Sequence, residues 1–194
     1  MSQFNFFDEA KPEHAALEGF RYQREIISAR EEEALLRRLR ELPVRPFQFH
    51  GHQGKRRTVS FGWQYEFSGS GKLRKADDIP EFLLPLRAVA ASFARVAPEA
   101  FEHVLVIEYG PGAGIGWHRD KPVFGEVVGI SLLAPCVLRF RRKVGAKWER
   151  ANVTAEPRSA YHLTGPARSE WQHSIGRVDA LRYSITFRSV QVST

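Results

Sequence analysis

The chain has 194 residues and a formal charge of +7, with a mass of 22.1 kDa and a pI near 9.8. An apolar fraction of 43% and a charged fraction of 26% fit a globular protein that buries a real core and exclude collagenous, disordered and coiled-coil chains. No apolar run reaches the roughly 18–20 residues of a membrane span. The start, MSQFNFFDEAKPEH, has acids where a secretory leader needs a basic start and an apolar run. The one cysteine, Cys136, excludes an internal disulfide and a cysteine zinc site, and makes a reducing compartment, the cytoplasm, the default expectation.

In chain order, residues 1–27 read as irregular or partly extended. Ser28 with Glu31 forms a capping-box signature. A helix is expected from Ala29 to Leu42, with Leu35, Leu36, Leu39 and Leu42 on one stripe and Pro43 as its stop. Residues 44–75 carry turn residues and a short alternating run. A second helix is expected from about Pro80 to Val96, with Phe82, Leu83, Leu86, Val89, Ala90, Phe93 and Val96 facing the core. After Pro98 the texture becomes strand-like. Val104–Tyr109, Val127–Leu133, Val137–Arg142, Ala160–Leu163 and Leu181–Arg188 are rich in branched and aromatic residues between turns. Two helices followed by regularly spaced strands suggest a β-sandwich or barrel backed by helices. A monomer is the simplest assembly.

Charge is concentrated locally. Residues 45–75 hold Arg45, Lys55, Arg56, Arg57, Lys72, Arg74 and Lys75 against Glu66 alone. Residues 139–150 hold Arg139, Arg141, Arg142, Lys143, Lys147 and Arg150 against Glu149 alone. Such patches suit a polyanion, with nucleic acid the natural partner, although a basic run is also compatible with a merely solvated face.

The chemistry-bearing residues lie in the strand-rich half. In Tyr109-Gly-Pro-Gly-Ala-Gly-Ile-Gly-Trp-His118-Arg119-Asp120, His118 and Asp120 stand two apart, on one side of an extended segment. With a third ligand they match the two-histidine, one-carboxylate set that holds Fe(II) and leaves coordination positions open. Downstream come His173 and then Arg182-Tyr-Ser-Ile-Thr-Phe-Arg188. On a strand, Arg182, Ser184, Thr186 and Arg188 share one face. A planar guanidinium there suits a bidentate grip on a carboxylate.

Together these motifs resemble the AlkB family of Fe(II)/2-oxoglutarate-dependent dioxygenases over about residues 45–190. The resemblance implies a mainly β fold with flanking helices: a double-stranded β-helix (jelly-roll) core with a nucleotide-recognition lid. It divides the chain into an N-terminal extension and helix (1–44) and a dioxygenase domain (45–194). Within the latter it places a lid at about 45–75, a helix at about 80–97 and the jelly-roll at about 100–190. It implies that His118, Asp120 and His173 ligate iron, and that Arg182, Arg188, Tyr109 and Ser184 hold 2-oxoglutarate. The segment Lys55-Arg-Arg-Thr-Val-Ser-Phe-Gly-Trp-Gln-Tyr65-Glu-Phe67-Ser-Gly is similar to the family's lid, which assigns Tyr65, Phe67, Trp63 and Arg57 to the substrate. A strand with one buried aromatic face would show the same alternation. The implied activity is oxidative dealkylation of methylated or etheno-adducted bases in DNA or RNA, with O2 consumed and 2-oxoglutarate converted to succinate. The alternative is the same iron chemistry on a protein side chain or a small molecule. Three positions depart from the family pattern. Ile107 and Ser184 stand where asparagine is usual, and Pro122 stands where an acid reads the base.

Overall fold

The computed structural model describes residues 17–49, 52–65 and 73–191. Phe67, His50, Glu66 and Lys72 lie outside them. The elements in chain order are β1 (Phe20–Gln23), α1 (Ala29–Leu39), β2 (Arg45–Phe49), β3 (His52–Phe61), β4 (Trp63–Tyr65), β5 (Leu73–Lys75), a 3-10 turn (Glu81–Leu83) and α2 (Leu84–Ala94). A second 3-10 turn (Pro98–Ala100) leads into β6 (Phe101–Tyr109), β7 (Ile115–His118), β8 (Phe124–Leu132), β9 (Cys136–Val144) and β10 (Lys147–Ala155). The chain ends with β11 (Ser159–Leu163), α3 (Gly165–Ser169), β12 (Gln172–Ile175) and β13 (Arg182–Val190).

Two antiparallel sheets face each other. The larger runs β1-β11-β8-β13-β6-β3-β2 and the smaller β10-β9-β12-β7, while β4 and β5 form a separate two-stranded ribbon. This is the jelly-roll arrangement, and it explains two apolar clusters. One packs α1 and α2 against the outer face of the large sheet, with Leu39, Leu86 and Ala90 meeting Val104, Ile130, Ile185 and Phe187. The other fills the space between the sheets, with Leu138, Phe140, Ile107, Tyr109, Val127 and Leu163. Strand parity sorts the two, because successive side chains point to opposite faces.

Both expected helices form, each shorter than expected. In α1 the capping box is complete: Ser28 Oγ accepts from the Glu31 backbone N–H, and Glu31 accepts from the Ser28 N–H. The helix ends at Leu39 rather than Leu42. Residues 81–83 tighten into a 3-10 turn, and α2 ends where Arg95 turns left-handed at φ 65°. Several strands carry too weak a pattern to be expected, among them β1, β7, β10 and β12. β7 and β12 have four residues each, β1 is an edge strand, and β10 has apolar side chains only at Ala151, Val153 and Ala155 beyond its exposed Trp148.

The aromatic alternation of residues 59–65 does not run through as one strand. It breaks at Gly62, which has φ +76° and whose absent Cβ would lie 1.9 Å from the Glu102 carbonyl oxygen. Phe61 is therefore buried in the helix-side core, while Trp63 and Tyr65 depart on the ribbon. Among the described residues no helix is long and apolar enough to cross a membrane.

Candidate functional site

The site lies between the sheets, where β7 and β12 pair with His118 opposite His173. Their rings stand 4.2 Å apart, centroid to centroid. Asp120, just beyond β7, presents Oδ2 at 3.8 Å from His173 Nε2. Its Oδ1 accepts from Arg188 Nε at 3.0 Å and lies 2.8 Å from Nη2. Arg188 comes from β13 on the opposite sheet, so this ion pair ties the two sheets together at the candidate ligands.

The electrostatics suit a cation. His118 Nδ1 lies 2.9 Å from the Gly116 carbonyl, which only accepts, so that nitrogen carries the proton and Nε2 keeps its lone pair. Burial, and then the neighbouring His118, push His173 down to about 3. Burial likewise lowers His118. Burial alone would raise Asp120, but Arg188, His173, His118 and Arg168 outweigh it and hold the carboxyl below its usual range. Two neutral imidazoles and one ionised carboxylate are the donor set that a divalent iron takes. The three converge without closing on one another: among the described residues no three such groups form a preassembled metal cluster.

Toward the other end of β13, Arg182 is fully buried. Its Nε donates to Ser131 Oγ at 3.2 Å, and its guanidinium sits 5.0 Å from the centre of the Tyr109 ring. Its Nη1 and Nη2 are two of four buried side-chain nitrogens that lack any hydrogen-bond partner among the described residues. A buried guanidinium with two empty donors is costly unless an anion arrives to accept from both. Ser184 and Thr186 lie between the two arginines on the same buried face, and Ser184 is opposite Ser131. Tyr161 covers this floor. Gly129 opposite it has no room for a Cβ, which would lie 2.2 Å from the Tyr161 ring.

The structure thus brings together His118, Asp120, His173, Arg182, Arg188, Tyr109 and Ser184. It divides the expected substrate contacts. Arg57 lies on the opposite, helix-facing side of β3. There it pairs with Glu108 Oε1 at 2.9 Å, donates to the Val44 carbonyl at 3.0 Å, and shares Glu108 with the Tyr183 hydroxyl. Strand register is the reason: Arg57 is opposite Glu108, whose side chain is on the helix face. The adjacent Arg56 is on the site face. It stacks on Phe47 at 3.9 Å, and burial lowers its pKa. Tyr65 reaches the loop after Asp120, with Lys121 Nζ 5.3 Å from its ring centre, and Trp63 stacks with Lys75 at 4.7 Å.

Sequence reasoning missed three residues at this site. Arg56 was one strand position from the residue chosen, and Tyr161 was readable from the alternation Ser159, Tyr161, Leu163. Arg168 had no local signal. From α3 it donates to four backbone carbonyls between the candidate aspartate and the start of β8: Asp120 at 3.2 Å, Lys121 at 2.7 Å, Phe124 at 2.5 Å and Gly125 at 3.0 Å. An open cleft lined by Arg38, Glu41, Leu42, Pro80, Glu81 and Phe82 lies on the helix side, away from these residues.

The profile of the 2OG-Fe(II) oxygenase superfamily matches residues 19–188. The chain belongs to this superfamily. Its members use Fe(II), 2-oxoglutarate and O2. The chain is 25% identical over 160 residues to the "Alkylated DNA repair protein ALKBH8 homolog" of Arabidopsis thaliana, a match that covers 70% of this chain and 46% of that protein. It is 29% identical over 102 residues to the uncharacterized protein L905 of Acanthamoeba polyphaga mimivirus, covering 46% of this chain and 48% of that one. The chain therefore spans about half the length of the curated relatives it matches. Among solved structures it is similar to OsALKBH1 (TM-score 0.62, 16% identity, 88% of this chain and 98% of that chain). It is also similar to a Pseudomonas putida prolyl-4-hydroxylase (TM-score 0.59, 14% identity, 90% and 94%). At those identities the likeness concerns the fold.

Proposed function

We propose that the chain oxidatively dealkylates nucleobases in DNA or RNA, with His118, Asp120 and His173 as iron ligands and Arg182 as the anchor of 2-oxoglutarate. The observation that carries the co-substrate assignment is the buried Nη pair of Arg182, two donors with no acceptor. The far carboxylate of a dicarboxylate supplies the bidentate acceptor they lack. Tyr109 supplies a ring under the same guanidinium. Arg188 holds Asp120 ionised and oriented. Bound iron and 2-oxoglutarate would supply the oxidising power, with O2 as oxidant and succinate and CO2 as co-products. The protein's share is to place the alkyl C–H bond and exclude water. An N-methyl group hydroxylated there becomes a hemiaminal, whose C–N bond breaks to release formaldehyde and the unmodified base.

The nucleic-acid reading is supported by the aromatic and cationic rim. Tyr65 beside Lys121 and Trp63 beside Lys75 pair a stacking surface with positive charge, as an extruded base and its phosphates require. The likeness to the Arabidopsis protein points the same way.

The test is anaerobic loading with Fe(II), then addition of 2-oxoglutarate, O2 and oligonucleotides carrying methyl or etheno adducts, read by mass spectrometry. Adduct loss with stoichiometric succinate is expected. Succinate formed with every oligonucleotide unchanged overturns the base assignment and turns the search to protein side chains and small molecules. No succinate at all overturns the iron and co-substrate assignments.

A further inference from the structure

The outer face of the four-stranded sheet, away from the site, sorts charge by strand parity. Side chains of β9 and β10 alternate between the core and this face. Leu138, Phe140, Ala151 and Val153 point inward, so Arg139, Arg141, Lys143, Trp148 and Arg150 point out. The register places Arg150 directly opposite Arg141, and Trp148 opposite Lys143. Like charges directly opposite on one face repel. The only acid in these four strands is Glu149, which lies on the other face and is taken by Arg142 at 2.8 Å. Among the described residues none of Arg139, Arg141, Lys143 and Arg150 has an ion pair.

Two of the three guanidiniums are nevertheless held in place. Arg139 Nε donates to Ser174 Oγ at 3.2 Å and Arg141 Nε to Gln172 Oε1 at 2.7 Å. The Arg141 guanidinium lies 4.4 Å from the centre of the Trp117 ring and 4.6 Å from that of Trp148. These contacts use the Nε edges and the flat faces, and among the described residues no hydrogen bond occupies the Nη edges. Trp148 remains 44% exposed, among the more exposed large apolar side chains. An ordered row of cations without counter-ions, flanked by an exposed indole, is complementary to a phosphate backbone with an unpaired base.

We propose that this outer face is a second nucleic-acid contact, with Arg139, Arg141 and Arg150 meeting successive phosphates and Trp148 stacking on an unpaired base. β7 is the edge strand, and Trp117 on it immediately precedes His118. A strand crossing the face at Trp117 passes one edge to reach the rim of the site. The proposal depends on the proposed function only for choosing nucleic acid among polyanions.

The test is fluorescence anisotropy of the full chain with an unmodified single-stranded oligonucleotide over a range of salt. Arg139→Gln/Arg141→Gln/Arg150→Gln should weaken binding at least about tenfold and lower the slope of log affinity against log salt by about 2, as three lost phosphate contacts on a single strand require. The corresponding triple lysine variant keeps the charge and should restore both, which separates phosphate contact from damaged packing. Trp148→Ala should weaken the single strand about fivefold or more and leave a duplex unchanged, since only an unpaired base can stack. Unchanged affinity and slope in the glutamine triple variant overturn the proposal. So does loss of binding to phosphatidylserine vesicles in place of oligonucleotide, which would make the face a membrane contact. The proposed function fails separately: oligonucleotide binding that needs these arginines, with no adduct ever removed, leaves this surface standing.

Discussion

The two faces of β13 contrast sharply although they share one backbone. Tyr183, Ile185 and Phe187 look toward the helices and pack in an apolar cluster. Arg182, Ser184, Thr186 and Arg188 look toward the small sheet, and all four are buried as well. The first face stabilises by removing apolar surface from water. The second opposes that gain, since it buries two guanidiniums, one of which keeps two unmatched donors. A strand that tolerates such a face is supported from its other side. For β13 the apolar contribution comes from the helix-side core, and its inter-sheet face is free to keep groups that await a ligand.

The strongest test of that division is His173→Ala. Succinate production should fall at least about a thousandfold, the scale of several kcal/mol of metal-derived stabilisation, and bound iron should disappear. Folding stability should move by no more than about 1 kcal/mol, because a neutral polar ring rather than core volume is lost. Parent-rate decarboxylation by this variant would break the metal assignment. Phe187→Ala is the mirror experiment on the helix side. It should cost about 3–5 kcal/mol in urea unfolding, as a large buried side chain leaves a cavity, with turnover per folded molecule unchanged.

Arg182→Met sharpens the contrast, since stability and function should move in opposite directions. Replacing an unpaired buried cation with an apolar side chain of similar length should stabilise the protein by about 1–4 kcal/mol. The KM for 2-oxoglutarate should rise about a hundredfold, as expected when one partner of a buried charge pair is truncated. A destabilised variant with unchanged KM would place Arg182 in the structural half. Smaller again is Arg168→Gln, which loosens four carbonyls behind Asp120. Fe(II) affinity should fall about tenfold, the usual size of a supporting-contact loss, with the KM for 2-oxoglutarate unchanged.

The same contrast explains what could be read from the sequence. Apolar periodicity identifies the helix-side elements, because α1, α2, β6, β8 and β13 each put one apolar face on that core. The candidate ligands and arginines were legible because residue type and spacing carry them: His118 and Asp120 two apart, Arg182 and Arg188 an even number apart. Arg56 was missed because choosing between adjacent arginines needs the register with β6, which is a long-range fact. Arg168 was missed because its role consists of bonds to main-chain carbonyls more than forty positions away, and such partners leave no trace in residue type. β7 and β12, which present two of the three candidate ligands, are too short to show a period.

The smallest expected effect asks which face governs sensitivity to acid. His162 is on the helix side of β11, with Nε2 3.1 Å from Glu126 Oε2 and Nδ1 3.0 Å from Arg21 Nη2. Burial lowers its pKa from the ordinary value of 6.5, and Arg21 adds to this while Glu126 opposes it. His103, His118 and His173 are on the site side and are lowered too, each chiefly by burial. For all four the sign is the same. Below about pH 6.5 the unfolded chain takes up protons that the folded chain refuses, so stability present at neutral pH is lost as pH falls toward each folded value. In metal-free protein His162→Gln should flatten the fall in urea midpoint between about pH 6.5 and 5 only in part, because the three site-side histidines still contribute. Loss of the whole slope would assign acid sensitivity to the helix side. An unaltered slope would assign it to the site, where bound iron, which needs neutral imidazoles, should then steepen it.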